Sequence, residues 1–226
     1  MEIELLQSAD SRIAKVILAP NEALIAQAGC MVAMSENMGV DTTLRQGRGG
    51  GILGGLKRFL GGQSLFLSVF QAVRSEAEIF IAPRLLGDIL VYEMRNRELV
   101  IQSGSYLACA ESVDIDLGWQ GFKSVFAGES IFWLSATGRG EVILSSFGAI
   151  YEVDVDGEYI VDTGNIVAFE TTLNFTVTKP PGSSWISTFL GGEGFVCRFK
   201  GRGKLFCQTH SPRNFGLAIG PQLPPR

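Results

Sequence analysis

Residues 98–111 read ELVIQSGSYLACAE, and two other stretches spell nearly the same thing: EALIAQAGCMVAMSE at 22–36 and EYIVDTGNIVAFE at 158–170. Each opens on a glutamate (Glu22, Glu98, Glu158), runs apolar and reaches a glycine (Gly29, Gly104, Gly164). A second apolar run containing alanine follows (Ala33, Ala108, Ala168), and each stretch closes on glutamate: Glu36, Glu111, Glu170. Short apolar runs punctuated by glycine are the pattern of β-strands rather than helices. RIAKVIL, DILVYEM, GEVILSS, AIYEVDV and NFTVTKP read the same way. Over YEVDVD (151–156), Tyr151, Val153 and Val155 alternate with Glu152, Asp154 and Asp156, which puts the apolar side chains on one face and the acids in water.

A turn signal precedes each opening glutamate: APNE at 19–22, MRNRE at 94–98 and VDGE at 155–158. Asn or Asp-Gly between alternating runs predicts a hairpin reversal, and VDVDGE (153–158) reads as such a turn rather than as the start of a calcium loop, whose closing glutamate is not at the needed distance.

A second element recurs as well. LKRFLGGQSLF, FKSVFAGESIF and ISTFLGGEGF place Gly62-Gln63, Gly128-Glu129 and Gly192-Glu193 in matching positions, 66 and 64 residues apart. Two independent elements repeating in one order make a triplicated β unit of roughly sixty-five residues, too small for each copy to bury its apolar face alone. The expected fold is all-β, a single domain over 1–226 with units at approximately 1–85, 86–146 and 147–220. They pack about a pseudo-threefold axis, with only short helical turns and a frayed tail at PQLPPR.

Composition narrows the function. Hydrophobic residues make up 46% and charged residues 19% of the 226, so the chain is globular. A net charge of -4 argues against nucleic acid as a partner. Glu2 and Glu4 stand where a secretory leader carries positive charge, and no run is long and apolar enough to span a bilayer, so a cytoplasmic location is expected. Cys30, Cys109, Cys197 and Cys207 sit in apolar runs without a CxxC pair and read as inert core thiols. His210 is the single histidine; with Cys197 and Cys207 it falls short of a zinc set, and no GxSxG accompanies it. No metal, cofactor or catalytic residue is assigned.

The glycine-rich stretch GGGILGGLKRFLGGQS (49–64) contains GxGxxG at Gly49, Gly51 and Gly54, but leaves no room for the βαβ unit a dinucleotide requires. Leu56 before Lys57, and Arg58 after it, defeat the P-loop reading. What the segment offers is an interface: Gly49, Gly50 and Gly51 give a loop that can approach a neighbour closely, and Leu53, Leu56 and Phe59 form an apolar turn beside Lys57 and Arg58. Counterparts carry Trp119 and Phe122 in the second unit and Trp185 and Phe189 in the third. These turns cap the β body, support self-association or a protein partner, or make weak peripheral membrane contact.

The run from Gly49 to Ala72, GGGILGGLKRFLGGQSLFLSVFQA, resembles the signature of the family named for altered inheritance of mitochondria, through its glycine run, Lys57-Arg58 and the Gly-Gln-Ser-Leu-Phe continuation. The resemblance covers nearly the whole chain. It implies units with a fold like that of the tryptophan RNA-binding attenuation protein, a β-sandwich or double-stranded β-helix type. In fungal relatives it also implies a link to mitochondrial inner-membrane organisation, and it defines no catalytic residues. The expected function is a non-enzymatic scaffold or binding protein. The alternatives are a small-molecule-binding or enzymatic protein with a pocket between repeats around Glu129, Glu193 and His210, and a peripheral membrane protein.

Overall fold

The computed structural model describes residues 1–7, 11–41, 67–116, 132–178 and 196–224. In chain order its first strands are β1 (Glu2–Gln7), β2 (Arg12–Leu18), β3 (Ala23–Gln27), β4 (Met31–Met34), β5 (Met38–Asp41), β6 (Leu67–Ala72) and β7 (Ala77–Ile81). There follow β8 (Ile89–Arg95), β9 (Leu99–Gln102), β10 (Tyr106–Ala110), β11 (Val113–Asp116) and β12 (Trp133–Ser145). The last are β13 (Ile150–Asp162), β14 (Ile166–Glu170), β15 (Leu173–Thr178) and β16 (Val196–Gln208), before a short helix, α1 (Pro212–Ile219). The fold is all-β, as the runs of β-branched and aromatic residues predict.

Burial follows the sequence pattern strand by strand. In β2 and β7 alternate residues point inward (Ala14, Val16 and Leu18; Ala77, Ile79 and Ile81), the period-two signature of a sheet with one wet face. β3, β9, β10 and β14 are apolar without alternation and are covered on both faces. One sheet runs β1-β2-β7-β4; the other runs β13-β16-β14-β9-β12-β10-β3-β6-β5, with β8 and β11 also paired to β12 and β15 to β16. All strand pairs are antiparallel.

The turn signals act differently from the expectation. Asn21, Asn96 and Gly157 do adopt positive φ (67°, 60° and 115°), but none reverses the chain into a hairpin. β2 and β3 pair with β7 and β6, not with each other. β8 and β9 pair with successive halves of β12. β13 runs straight through Val153–Glu158, paired with β16 from Ile150↔Gln208 to Asp162↔Val196. At Asn96 and Gly157 one long strand, β12 or β16, continues opposite the positive-φ residue, whereas opposite Asn21 the partners are the separate strands β7 and β6. On β16 the matching bend is Gly201, at φ 135° and directly opposite Gly157.

The three stretches quoted first give β3–β4, β9–β10 and the second half of β13 with β14. In each the second strand carries a register shift against its partner (β7, β12 and β16), between Met31 and Ala33, Tyr106 and Ala108, and Ile166 and Ala168. The strands also interlock across the chain. β3 pairs with β10 as Leu24↔Ala110, Ile25↔Cys109 and Ala26↔Ala108. β9 pairs with β14 as Leu99↔Glu170, Val100↔Phe169 and Ile101↔Ala168. Aligned on Gly29, Gly104 and Gly164, the two junctions have the same register.

Candidate functional site

Every residue singled out in the sequence as an interaction surface lies outside the described residues: Gly49, Gly50, Gly51, Leu53, Leu56, Lys57, Arg58, Phe59, Trp119, Phe122, Trp185 and Phe189. So do the repeated turns Gly62-Gln63, Gly128-Glu129 and Gly192-Glu193. The structure does describe the strands on either side of them. Residues 42–66 lie in the chain between β5 and β6, which pair from Met38↔Ala72 to Asp41↔Val69. Residues 117–131 lie between β11 and β12, paired from Val113↔Gly138 to Asp116↔Ser135. Residues 179–195 lie between β15 and β16, paired from Leu173↔Gly201 to Thr178↔Val196. Each segment therefore links two neighbouring antiparallel strands.

The described surface has a feature that the sequence did not point out. The residues meeting at the two internal junctions are buried: Ile25 and Cys109, and Val100 and Phe169, are each at most 2% exposed. The corresponding strands at the two ends of the chain are not. All four residues of β4 are exposed, with Met31 at 42%, Val32 at 57% and Met34 at 40%. Among the described residues β4 pairs only with β7. At the other end, Tyr159 is 42% and Ile160 39% exposed, and among the described residues β13 pairs only with β16. The row Met31-Val32-Ala33-Met34 bears no charge, proline or other device that usually blunts a sheet edge. Its composition matches buried β10 and β14, so only the pairing distinguishes it.

The polar groups between strands serve the packing. Glu170, 7% exposed, accepts a hydrogen bond from the Tyr92 hydroxyl at 2.8 Å and from the Lys204 backbone N–H at 3.0 Å, with Arg97 Nη1 3.8 Å away. Burial and the hydrogen bond to Glu170 push the Tyr92 phenol well above its ordinary range. Glu158, Asp156 and Glu152 pair across β13–β16 with Arg198 and Lys200, with Arg202 and with Lys204. These pairs hold Glu152, Asp156 and Glu158 on the wet face; Val153 and Val155 turn inward as the alternation predicts, but Tyr151 is 45% exposed.

All four cysteines are buried thiols, as expected of core positions. Burial pushes the Cys30 and Cys207 thiols up to about 11. His210 is exposed, its ring 5.4 Å from Phe147 and its Nδ1 2.9 Å from Thr209 Oγ1. Among the described residues no group of three metal-ligating side chains comes together. Ser211 caps α1, its Oγ accepting from the Asn214 N–H, and α1 leaves Phe215, Leu217 and Ile219 exposed. Among the described residues no helix is long and apolar enough to cross a membrane.

A family model described as Mitochondrial biogenesis AIM24 matches residues 3–210. An uncharacterized protein of Streptococcus pyogenes serotype M6 is 27% identical over 206 residues, covering 88% of this chain and 81% of that one. The X-ray crystal structure of another Streptococcus pyogenes protein matches with a TM-score of 0.81 over 98% of this chain and 99% of that one, at 22% identity. This last is a likeness of fold.

Proposed function

The chain belongs to the Mitochondrial biogenesis AIM24 family, and on that premise we propose that it is a non-enzymatic scaffold. Its body is three consecutive β units, and it docks a protein partner through the glycine-rich loop and the apolar turns. The observation that carries this reading is the matching register of the β3–β10 and β9–β14 junctions. If the units are equivalent, residues 42–66, 117–131 and 179–195 occupy equivalent places, between paired strands of each unit. Three greasy segments carried by one β body suit docking better than chemistry, because apolar area is what drives association. The first unit alone adds the glycine insert with Lys57 and Arg58, which gives the partner a unique point of attachment.

The test compares wild type with a Gly49–Gly55 deletion and with the Leu56→Asp, Phe59→Asp double variant, using chemical crosslinking in the native cell extract. The reading expects the deletion and the double variant to lose the same crosslinked partners while their far-UV circular dichroism stays that of wild type. An unchanged partner set overturns it. So does a metabolite that raises the melting temperature by several degrees at a saturable site, since that marks a ligand-binding protein.

A further inference from the structure

From the two open strand edges we infer that copies of this chain join head to tail, β13 of one copy adding to β4 of the next in the register already used twice inside the chain. The inference rests on the three-unit reading above and goes beyond it by naming the second occupant.

The rule inside the chain is simple. The strand before the glycine of one stretch pairs antiparallel with the strand after the glycine of the following stretch, β3 with β10 and β9 with β14. The third stretch has its first strand, Tyr159–Asp162 of β13, and residues 171–226 contain no further such stretch to receive it. The first stretch has its second strand, β4, and residues 1–21 contain no earlier such stretch to offer a partner. The two unused edges are the complementary halves of one more identical junction, and among the described residues they do not pair with each other. Among the described residues, then, the third junction that a closed arrangement of the three units requires is not made within one chain.

Aligning on Gly29, Gly104 and Gly164 fixes the pairing between copies: Val161 opposite Ala33, Ile160 opposite Met34, and Tyr159 opposite Ser35. The exposed side chains fit this assignment. Ile160 (39%) and Met34 (40%) stand where Ile25 with Cys109, and Val100 with Phe169, are buried inside the chain. β4 also shares with β10 and β14 the register shift just after its first residue, so its backbone is already shaped for a second neighbour. Strand addition at a bare edge supplies backbone hydrogen bonds as well as apolar burial. Because the two surfaces differ, the contact is heterologous, and repetition closes a ring or grows a filament.

This asymmetry gives a decisive test. A Met34→Asp chain keeps a working β13 edge and loses its β4 edge; an Ile160→Asp chain does the reverse. Both positions are exposed in the single chain, so each variant should keep the wild-type circular dichroism and melting profile at low concentration. In light scattering, wild type is expected at a multiple of 24.4 kDa, and each variant alone at the mass of one chain. A one-to-one mixture is expected to give a species of two chains and no larger, since one good junction remains. Wild type that stays at 24.4 kDa across its whole soluble range, or variants that assemble like wild type, would overturn the proposal. So would a mixture that does not pair. The loop deletion above separates the two readings: assembly that survives it while partner docking is lost leaves both standing. Partner docking intact in a strictly single-copy chain removes this inference alone.

Discussion

Buried thiols make this protein's alkaline stability depend on cysteine. Cys30 and Cys207, nearly inaccessible to water, are pushed up to about 11 by burial from an ordinary value of 9.0. Between those two values the unfolded chain has released its thiol protons while the folded chain still holds them. The folded state therefore binds more protons, and stability falls as pH rises. The loss begins near pH 9, proceeds at ~1 kcal/mol per pH unit for each thiol, and levels off above pH 11. Urea unfolding of wild type against Cys30→Ala and Cys207→Ala, at intervals from pH 8 to 11, should show a shallower decline in each variant; parallel curves would refute the assignment. The buried, inert character of these residues was legible in the sequence, because cysteine in an apolar run without a partner spacing has one ordinary use. The roles of the repeated glutamates were not. Glu22 accepts from the Ala19 N–H, Glu98 from Ser135 Oγ, and Glu158 pairs with Arg198 and Lys200. Equivalent letters meet different neighbours, and a single sequence does not list neighbours.

Long bent strands are the elements that set this fold apart, and glycine permits the bends. Gly157 and Gly201 face one another across β13–β16 with φ of 115° and 135°, a region that side-chain-bearing residues rarely adopt. Their surroundings differ. A Cβ on Gly157 would meet nothing within 4 Å, whereas one on Gly201 would sit 2.7 Å from the Thr172 carbonyl oxygen. Gly138 on β12 repeats this contact, its Cβ position 2.5 Å from the Ser112 carbonyl oxygen. Gly157→Ala is therefore expected to cost only backbone strain, about 1–2 kcal/mol, while Gly201→Ala costs about 3 kcal/mol because strain and clash add. Denaturant titration of the two variants measures the difference, and equal costs would contradict this account of Gly201. The same residues explain why the strands were legible and the hairpins were not. Asn21, Asn96 and Gly157 announce a positive-φ position by their chemistry alone. Whether the chain then doubles back depends on the strand opposite, and β16 spans the bend at Gly157 without a break. Partner length is a property of residues some forty positions away, beyond any local turn signal.

At the scale of the whole molecule, the body coheres because its apolar clusters do not respect the sequence repeat. The first cluster joins Val16, Leu18 and Ile79 to Leu107, Ala108 and Ile143. The second sets Ile25 and Leu67 beside Tyr106 and Leu144, and also beside Val167 and Phe206. The third holds Val100 and Trp133 among Phe169, Phe199 and Leu205. The repeated stretches of the amino-acid sequence conceal which of their strands stay uncovered, since MVAM in β4 is as apolar as the buried strands it resembles; among the described residues only the order of pairing leaves it at an edge. Shared clusters imply shared fate. A unit that unfolded alone would open the neighbour's core as well as its own, and apolar burial of that kind, at ~25 cal/mol per Å², is too large to give up piecemeal. Equilibrium unfolding of the Ile160→Asp chain, chosen so that assembly does not add a second equilibrium, should therefore be a single transition. Trp133, 7% exposed and 5.5 Å from the Phe169 ring, reports on the third cluster when Trp119 and Trp185 are replaced by Phe, while far-UV circular dichroism reports on every strand. The two midpoints should coincide, with the van't Hoff enthalpy equal to the calorimetric one. Midpoints that separate would mean that the interlocked strands do not bind the units into one cooperative body.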